Sequence, residues 1–320
     1  MSYPPIMKLP PWFGGQVGIS FTEPAEGLRM SPAGNVLYVD VNHAGASDAN
    51  EGTDPRHPKL TIQSAVNSQF LTDGSWIGIA PGVYPESVLI PATVASYVTM
   101  IGLGSNHFWP SIVSDGAALD AISLSARGWT IRNLRVTGHS ASAGIRLYEH
   151  SDPGYQGAET VIDNVFFDGA WRALYGLEFE GSPGMVTVSN CRFSEHRTGA
   201  GASYAVRESA SPRQNAYECS FLNNWFFENE NHVAGGFGVT LFQGNHFMSG
   251  SLIPSTVQLD LRGGTVGLNM VVGNTFDGDY SNVGGYYANA AHPGHWGGNV
   301  TEDVAEAEVG DNGLTILPPA

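Results

Sequence analysis

The chain has 320 residues, with 14 Lys and Arg against 30 Asp and Glu and a net charge of −16. So acidic a composition cannot supply the basic face that neutralises a phosphate backbone, which excludes a nucleic-acid binder, and the longest apolar runs fall far short of the ~20 residues that span a bilayer. Forty-one glycines beside an aromatic content of 11% describe many tight turns around an aromatic core, not a disordered polymer.

Residues 1–35 read as an extended arm, because Pro4, Pro5, Pro10 and Pro11 around Trp12, Phe13, Gly14 and Gly15 carry neither a helical nor a strand period. The segment is nonetheless too apolar for a solvated linker. Trp12, Phe13 and Phe21 are therefore assigned to docking, either back onto their own domain or onto a partner chain. Residues 1–20 show no charged head followed by an apolar stretch, so export through a signal peptide is not expected. The two cysteines, Cys191 and Cys219, have no metal-ligand spacing and read as buried free thiols of a protein folded in a reducing cytoplasm.

The domain assigned to residues 36–300 opens with a short strand, Val36 to Val39, and a polar loop, Asn42 to Pro58. Asp48, Asn50 and Asp54 loosely resemble a calcium loop, but Thr53 stands where the glycine of an EF-hand is required. Side-chain bonds to the loop's own backbone are the preferred reading. Leu60 to Phe70 is the one helix predicted, with Thr61 as its N-cap and Ile62, Ala65, Val66 and Phe70 along one face. Short strands follow at Trp76 to Ala80, Ser87 to Ile90 and Val98 to Ile101.

From there to about residue 277 a repeat runs through the chain: an apolar residue, one intervening residue, Asn, and a large apolar residue two or three positions on. Its copies are Ile131/Asn133/Val136, Ile162/Asn164/Phe167, Val188/Asn190/Phe193, Leu222/Asn224/Phe227, Gln243/Asn245/Phe247, which lacks the leading apolar residue, and Val272/Asn274/Phe276, with Asn-to-Asn steps of 31, 26, 34, 21 and 29 residues. Each step accommodates two or three short strands and their turns but not a strand–helix–strand unit. An asparagine that tolerates left-handed turn geometry can stack on its equivalent one coil away, while the apolar positions stack inward. The pattern predicts an all-β parallel solenoid stabilised by nearest-neighbour stacking and needing capped ends.

Two local stretches sharpen the prediction. Asp48-Ala-Asn50-Glu51-Gly52-Thr53 with Thr61-Ile62-Gln-Ser-Ala65-Val66, followed by Pro81-Gly82-Val-Tyr84-Pro-Glu86 and Ile101-Gly102-Leu-Gly104, resembles the opening of right-handed parallel β-helix proteins of the pectate-lyase-like superfamily. The resemblance implies a capping helix followed by the first coil, and leaves activity open, since the superfamily holds lyases, hydrolases, epimerases and non-enzymatic phage proteins. Pro11-Trp12-Phe13-Gly14-Gly15, Ser20-Phe21-Thr22-Glu23-Pro24, Met30-Ser31-Pro32-Ala33-Gly34-Asn35, Trp296-Gly-Gly-Asn299 and Leu314-Thr-Ile-Leu-Pro318 are similar to β-helix proteins of environmental tailed phages. That resemblance implies a virion structural protein and a homotrimer.

For hydrolysis on such a fold, two carboxylates about 5–9.5 Å apart are required. Glu178 and Glu180 share one strand face by alternation and are the best pair, with Asp163, Asp168 and Glu195 as further candidates near Arg172 and Arg197. A solvated strand face is the preferred reading of these acids. A lyase site would need clustered Asp ligands for Ca²⁺ and a basic residue; Lys8 and Lys59 lie outside the repeat, whereas nine of the twelve arginines fall between Arg127 and Arg213. Those arginines either bind acidic sugars or pair with neighbouring carboxylates. Trp109, Trp171, Trp225 and Tyr175 are candidate sugar-stacking platforms against the commoner alternative of packing, and Trp171, Arg172 and Tyr175 form the candidate glycan-binding set. His292 and His295 read as an exposed turn, not a metal site.

The sequence therefore predicts a non-enzymatic phage virion protein, a capsid decoration or other surface β-helix anchored to capsid or tail proteins by its arm. It needs no metal, cofactor, nucleic acid or membrane. A tailspike-type polysaccharide depolymerase is the alternative, and a lectin-like adhesin a third reading. Residues 301–320 carry Glu302, Asp303, Glu306, Glu308 and Asp311 without a base and are expected to close the end of the solenoid or pack on a neighbouring subunit.

Overall fold

The computed structural model describes residues 34–104, 110–116, 118–148, 159–181, 183–198, 202–209, 216–249, 257–261, 269–278, 287–288 and 295–301. Trp12, Phe13, Phe21, Trp109, His292 and residues 302–320 lie outside them. The described chain winds as a parallel β-helix with three sheets. A typical turn passes through Val161–Asp163 in the first sheet, Phe166–Asp168 in the second and Tyr175–Glu180 in the third. The sheets hold ten, nine and eight strands. Every strand pair is parallel, so Val161–Asp163 lies between Thr130–Arg132 and Thr187–Ser189.

Its entrance is closed by a helix shorter than the sequence pattern predicts, Ile62–Val66 in place of residues 60–70. Asn67 ends it, and Phe70 reaches the core from the following turn. Thr61 is the N-cap, its hydroxyl accepting from the Ser64 N–H at 3.2 Å. Ile62, Ala65 and Val66 are buried against the first coils. The Pro-Gly-x-Tyr-x-Glu segment docks this helix. The Glu86 carboxylate accepts the free first-turn N–H groups of Ile62 and Gln63, both at 2.9 Å, and the Tyr84 hydroxyl donates to the Ala80 carbonyl at 2.8 Å. The Asp48 loop is held by its own side chains, Asp48 Oδ1 accepting from the N–H groups of Leu60 and Thr61 at 3.1 and 2.9 Å.

Between the first and second sheets the chain turns through a left-handed residue followed by an inward-facing one. The left-handed position is Asn133, Asn164, Asn190, Asn223, Gly244, Gly273 and Gly298 in successive coils, with φ between 51° and 65°. Asparagine and glycine are the residues that reach this region at least cost. The next position is apolar in the early coils, Leu134, Val165 and Cys191, and asparagine in the later ones, Asn224, Asn245, Asn274 and Asn299.

This corrects the repeat. The asparagines of its first three copies occupy the left-handed position, and those of the last three lie one residue on. In the later coils the inward residues are accordingly Phe221, Phe226, Phe242 and Val271, whereas Leu222, Phe227 and Val272 are half-buried and Gln243 is exposed.

Two stacks fill the interior. On the second sheet Phe167, Phe193, Phe226, Phe247 and Phe276 lie face to face, with successive centroids 4.3, 4.8, 4.8 and 4.9 Å apart. At the turn, the buried Asn224, Asn245 and Asn274 and the half-buried Asn299 form an amide ladder. Cys191 and Cys219 are buried free thiols, and burial pushes the Cys219 thiol up to about 12.

A second polar seam lies inside the later coils. Asn229 Oδ1 faces the N–H and Nδ1 of His196 at 3.1 and 2.8 Å, and Asn229 Nδ2 faces His232 Nδ1 at 3.1 Å. Burial pushes His196 down to about 4 and His232 to about 3, favouring neutral rings. Both folded values lie below the ordinary histidine value, so the stability these rings contribute is complete above about pH 6.5 and is lost as pH falls toward 4. Glu178, described below, acts in the opposite sense, so the histidine effect is read by difference. The wild-type melting temperature should fall more steeply from pH 6.5 to 4 than that of His196→Gln, and parallel curves would contradict the assignment.

Candidate functional site

The outward face of the third sheet gathers charged and phenolic side chains in register. Ser123, Arg146, Glu178, Arg207, Ala234 and Asp260 form one row across successive strands. Tyr148 and Glu180 stand opposite one another in a second row, and Tyr175 and Tyr204 in a third.

Arg146 is the hub. Its Nε and Nη2 donate to both oxygens of Asp120 at 2.9 and 3.1 Å, and its Nη1 donates to Glu180 Oε2 at 2.8 Å. Asp120 is itself fixed by the Ala143 N–H at 2.8 Å and the Ser123 hydroxyl at 3.0 Å. Burial opposes the charge on Arg146, but the hydrogen bonds to Asp120 and Glu180 and the field of Glu178 outweigh it and hold the guanidinium protonated beyond the ordinary arginine range.

Glu178 sits beneath this hub at 3% exposure. Its Oε2 lies 3.0 Å from Arg146 Nη1 without meeting hydrogen-bond geometry, so that buried oxygen has no donor. Burial pushes the carboxyl up to about 7; Arg146 works against this, and the charges of Glu180 and Asp120 add to it. A folded value above the unfolded one stabilises the fold at low pH and loses that contribution as pH rises through 7. Glu178→Gln should therefore leave the melting temperature nearly unchanged at pH 5 and raise it at pH 8. Equal curves for the two proteins would show that Glu178 carries no such cost.

One strand further, Arg207 has no carboxylate partner among the described residues. Its Nη1 donates to the Tyr175 hydroxyl, and its guanidinium lies 4.9 Å from the Tyr175 ring centroid and 5.9 Å from that of Tyr204. Burial lowers its proton affinity, and the nearby Arg146 adds to this. The face thus offers a fixed, neutralised cluster at Arg146 and, beside it, a cation between two phenols.

The sequence-derived candidates divide. Glu178 and Glu180 are brought together on one face, as alternation required. Trp171 and Arg172 are exposed in the turn leading into the third sheet, where Trp171 takes φ 59°, whereas Tyr175 is nearly buried against Arg207. Asp163 and Asp168 stand on other sheets, paired with Arg132 at 3.1 Å and with Arg135, and Glu195 occupies a left-handed turn position at φ 63°. Arg146, Arg207 and Tyr204 were not singled out by sequence. Their one signal is the concentration of arginine between residues 127 and 213, which does not say which share a face.

No protein-family model and no curated protein sequence matches the chain. In structure it is similar to the Escherichia coli protein ybhc, with 13% identity over 80% of this chain and 75% of that one at a TM-score of 0.53. It is also similar to pectin methylesterase from carrot, with 13% identity over 86% of this chain and 85% of that one at a TM-score of 0.50. A pectin methylesterase solved in complex with a hexasaccharide aligns at 12% identity over 80% of this chain and 81% of that one, TM-score 0.50. What the chain shares with them is the fold, a parallel β-helix.

Proposed function

We propose that this chain is a non-cleaving β-helix protein displayed on a tailed-phage particle, with the outward face of its third sheet turned toward surface glycans. The observation that carries this reading is the convergence of Glu178 and Glu180 on a single nitrogen of Arg146. A glycoside hydrolase sets its two carboxylates on either side of a scissile bond; here the guanidinium fills the space between them. Short motifs at both ends, similar to those of phage β-helix proteins, support the particle assignment. On this reading residues 1–35 anchor a homotrimer to capsid or tail proteins, and the protein is made in the host cytoplasm. The test is incubation of the purified protein with surface polysaccharide of the host, followed by product analysis, alongside mass-spectrometric counting of the chain in purified particles. Glycan retention without new reducing ends or unsaturated products is expected, with tens to hundreds of copies per particle. Absence from particles would overturn the reading.

A second reading, a tailspike-type depolymerase, is favoured by one observation. Burial pushes the Glu178 carboxyl up to about 7, and its Oε2, although beside Arg146, accepts no hydrogen bond, which suits a general acid at neutral pH. Polysaccharide cleavage by the wild type that disappears in Glu178→Gln and Glu180→Gln would establish it.

A further inference from the structure

The outward face of the second sheet carries a column unlike anything on the first. In register across successive strands stand Arg135, Phe166, Arg192, Trp225 and His246. A group able to carry positive charge recurs at every second coil, with a flat hydrophobic ring between. The rings and cations are in contact: Arg135 and Arg192 lie 5.5 and 5.3 Å from the Phe166 centroid, Arg192 lies 5.7 Å from that of Trp225, and Trp225 stacks on His246 at 5.8 Å.

Several polar atoms of this column have no partner. Arg135 is paired with Asp168, yet its buried Nε is bare. Arg192 has no carboxylate partner among the described residues, only the rings of Phe166, Trp225 and Phe227, and its Nε is likewise bare. The buried Nε2 of His246 completes the set. Trp225 is 46% exposed, an unusual position for the largest apolar side chain.

The backbone of this sheet is satisfied within its own ladders, so a peptide laid on the face finds no main-chain partners of the kind strand addition uses. Duplex nucleic acid fits no better. Coils are about 4.8 Å apart, which places the cationic groups about 10 Å from one another, whereas duplex DNA carries a charge every ~1.7 Å of axis. A chain of sugars in which an acidic residue alternates with a neutral one presents the matching pattern: a carboxylate for each guanidinium or imidazole, and a ring whose C–H face covers the exposed Trp225, Phe166 being buried under Arg135 and Arg192, which it holds in place.

We infer that the column Arg135, Phe166, Arg192, Trp225 and His246 is a binding track for a polysaccharide of alternating acidic and neutral sugars, lying along the solenoid axis. The track goes beyond the third-sheet reading and stands without it.

The experiment is calorimetric titration of the full chain at pH 7 and low salt with three probes: hyaluronan oligosaccharides, in which the acid alternates; polygalacturonate, acidic at every sugar; and dextran, which is neutral. Hyaluronan should bind most tightly, and Trp225→Ala and Arg192→Gln should each weaken it at least tenfold, with Trp225→Phe retaining most of the affinity. Arg56→Gln, in the entrance loop, serves as a control expected to bind as the wild type does. Melting curves establish that each variant is folded. The inference is overturned if none of the probes binds, if dextran binds as well as hyaluronan, or if Arg207→Gln abolishes binding that Trp225→Ala leaves intact, which would move the glycan to the third sheet. It is also overturned if binding appears only in a chain ending at residue 301, which would give the track to the protein's own acidic segment.

Discussion

Asn245→Ala is expected to destabilise the protein by about 3–5 kcal/mol, read as the shift in a chemical denaturation midpoint at unchanged slope. Asn245 Oδ1 accepts from both the N–H and Nδ2 of Asn224, each at 3.0 Å, while its Nδ2 donates to the Phe221 carbonyl at 2.9 Å and to Asn274 Oδ1 at 3.0 Å. Truncation leaves the Asn224 N–H buried and unpaired, at about 1–3 kcal/mol, and removes the bond to Asn274 and the second bond to the Phe221 carbonyl, which the strand ladder also engages, at about 1 kcal/mol each. Asp at this position accepts but cannot donate, and adds a buried charge, so Asn245→Asp should be at least as damaging. The neighbouring asparagine supplies the contrast. Asn223 is exposed and left-handed at φ 54°, and its equivalents in the next three coils are Gly244, Gly273 and Gly298. Asn223→Gly should change stability by less than about 1 kcal/mol. Equal effects at the two sites would refute the separation of turn and ladder asparagines.

Phe226→Ala should cost a further about 3–5 kcal/mol, the usual range for emptying a buried aromatic site. Its ring is sandwiched between Phe193 and Phe247, both 4.8 Å away, and is fully buried. Neither neighbour can fill the space without breaking its own stack, so collapse of the cavity is limited. Phe226→Leu should recover much of the loss, because it keeps most of the volume. Phe227→Ala, one residue on and half-buried, should cost no more than about 1 kcal/mol. The repeat read from sequence places Phe227 in the core, so this pair decides the register directly, by denaturation of two single variants.

The entrance of the solenoid was legible because its signals are local. Thr61 caps a helix three residues before Ser64, and the Pro-Gly-x-Tyr-x-Glu stretch holds the carboxylate that docks it and the hydroxyl that ties its own turn to Ala80. The helix was read too long because Phe70 continues the helical period from a turn. The Arg146 cluster was half legible. Alternation placed Glu178 and Glu180 on one face, but Arg146 precedes Glu178 by a whole coil, and no local pattern connects them.

By itself the sequence determined the class of fold, its capped entrance and the recurrence of an asparagine turn, since each follows from propensities acting within a few residues. Only the tertiary structure decided which asparagine bends the chain and which forms the ladder, which phenylalanines point inward, and which arginines face carboxylates. The physical reason is that coils of 21 to 34 residues differ in their loops, so the residue above any side chain is fixed by strand register between coils, and a shift of one residue turns a core position into a surface one.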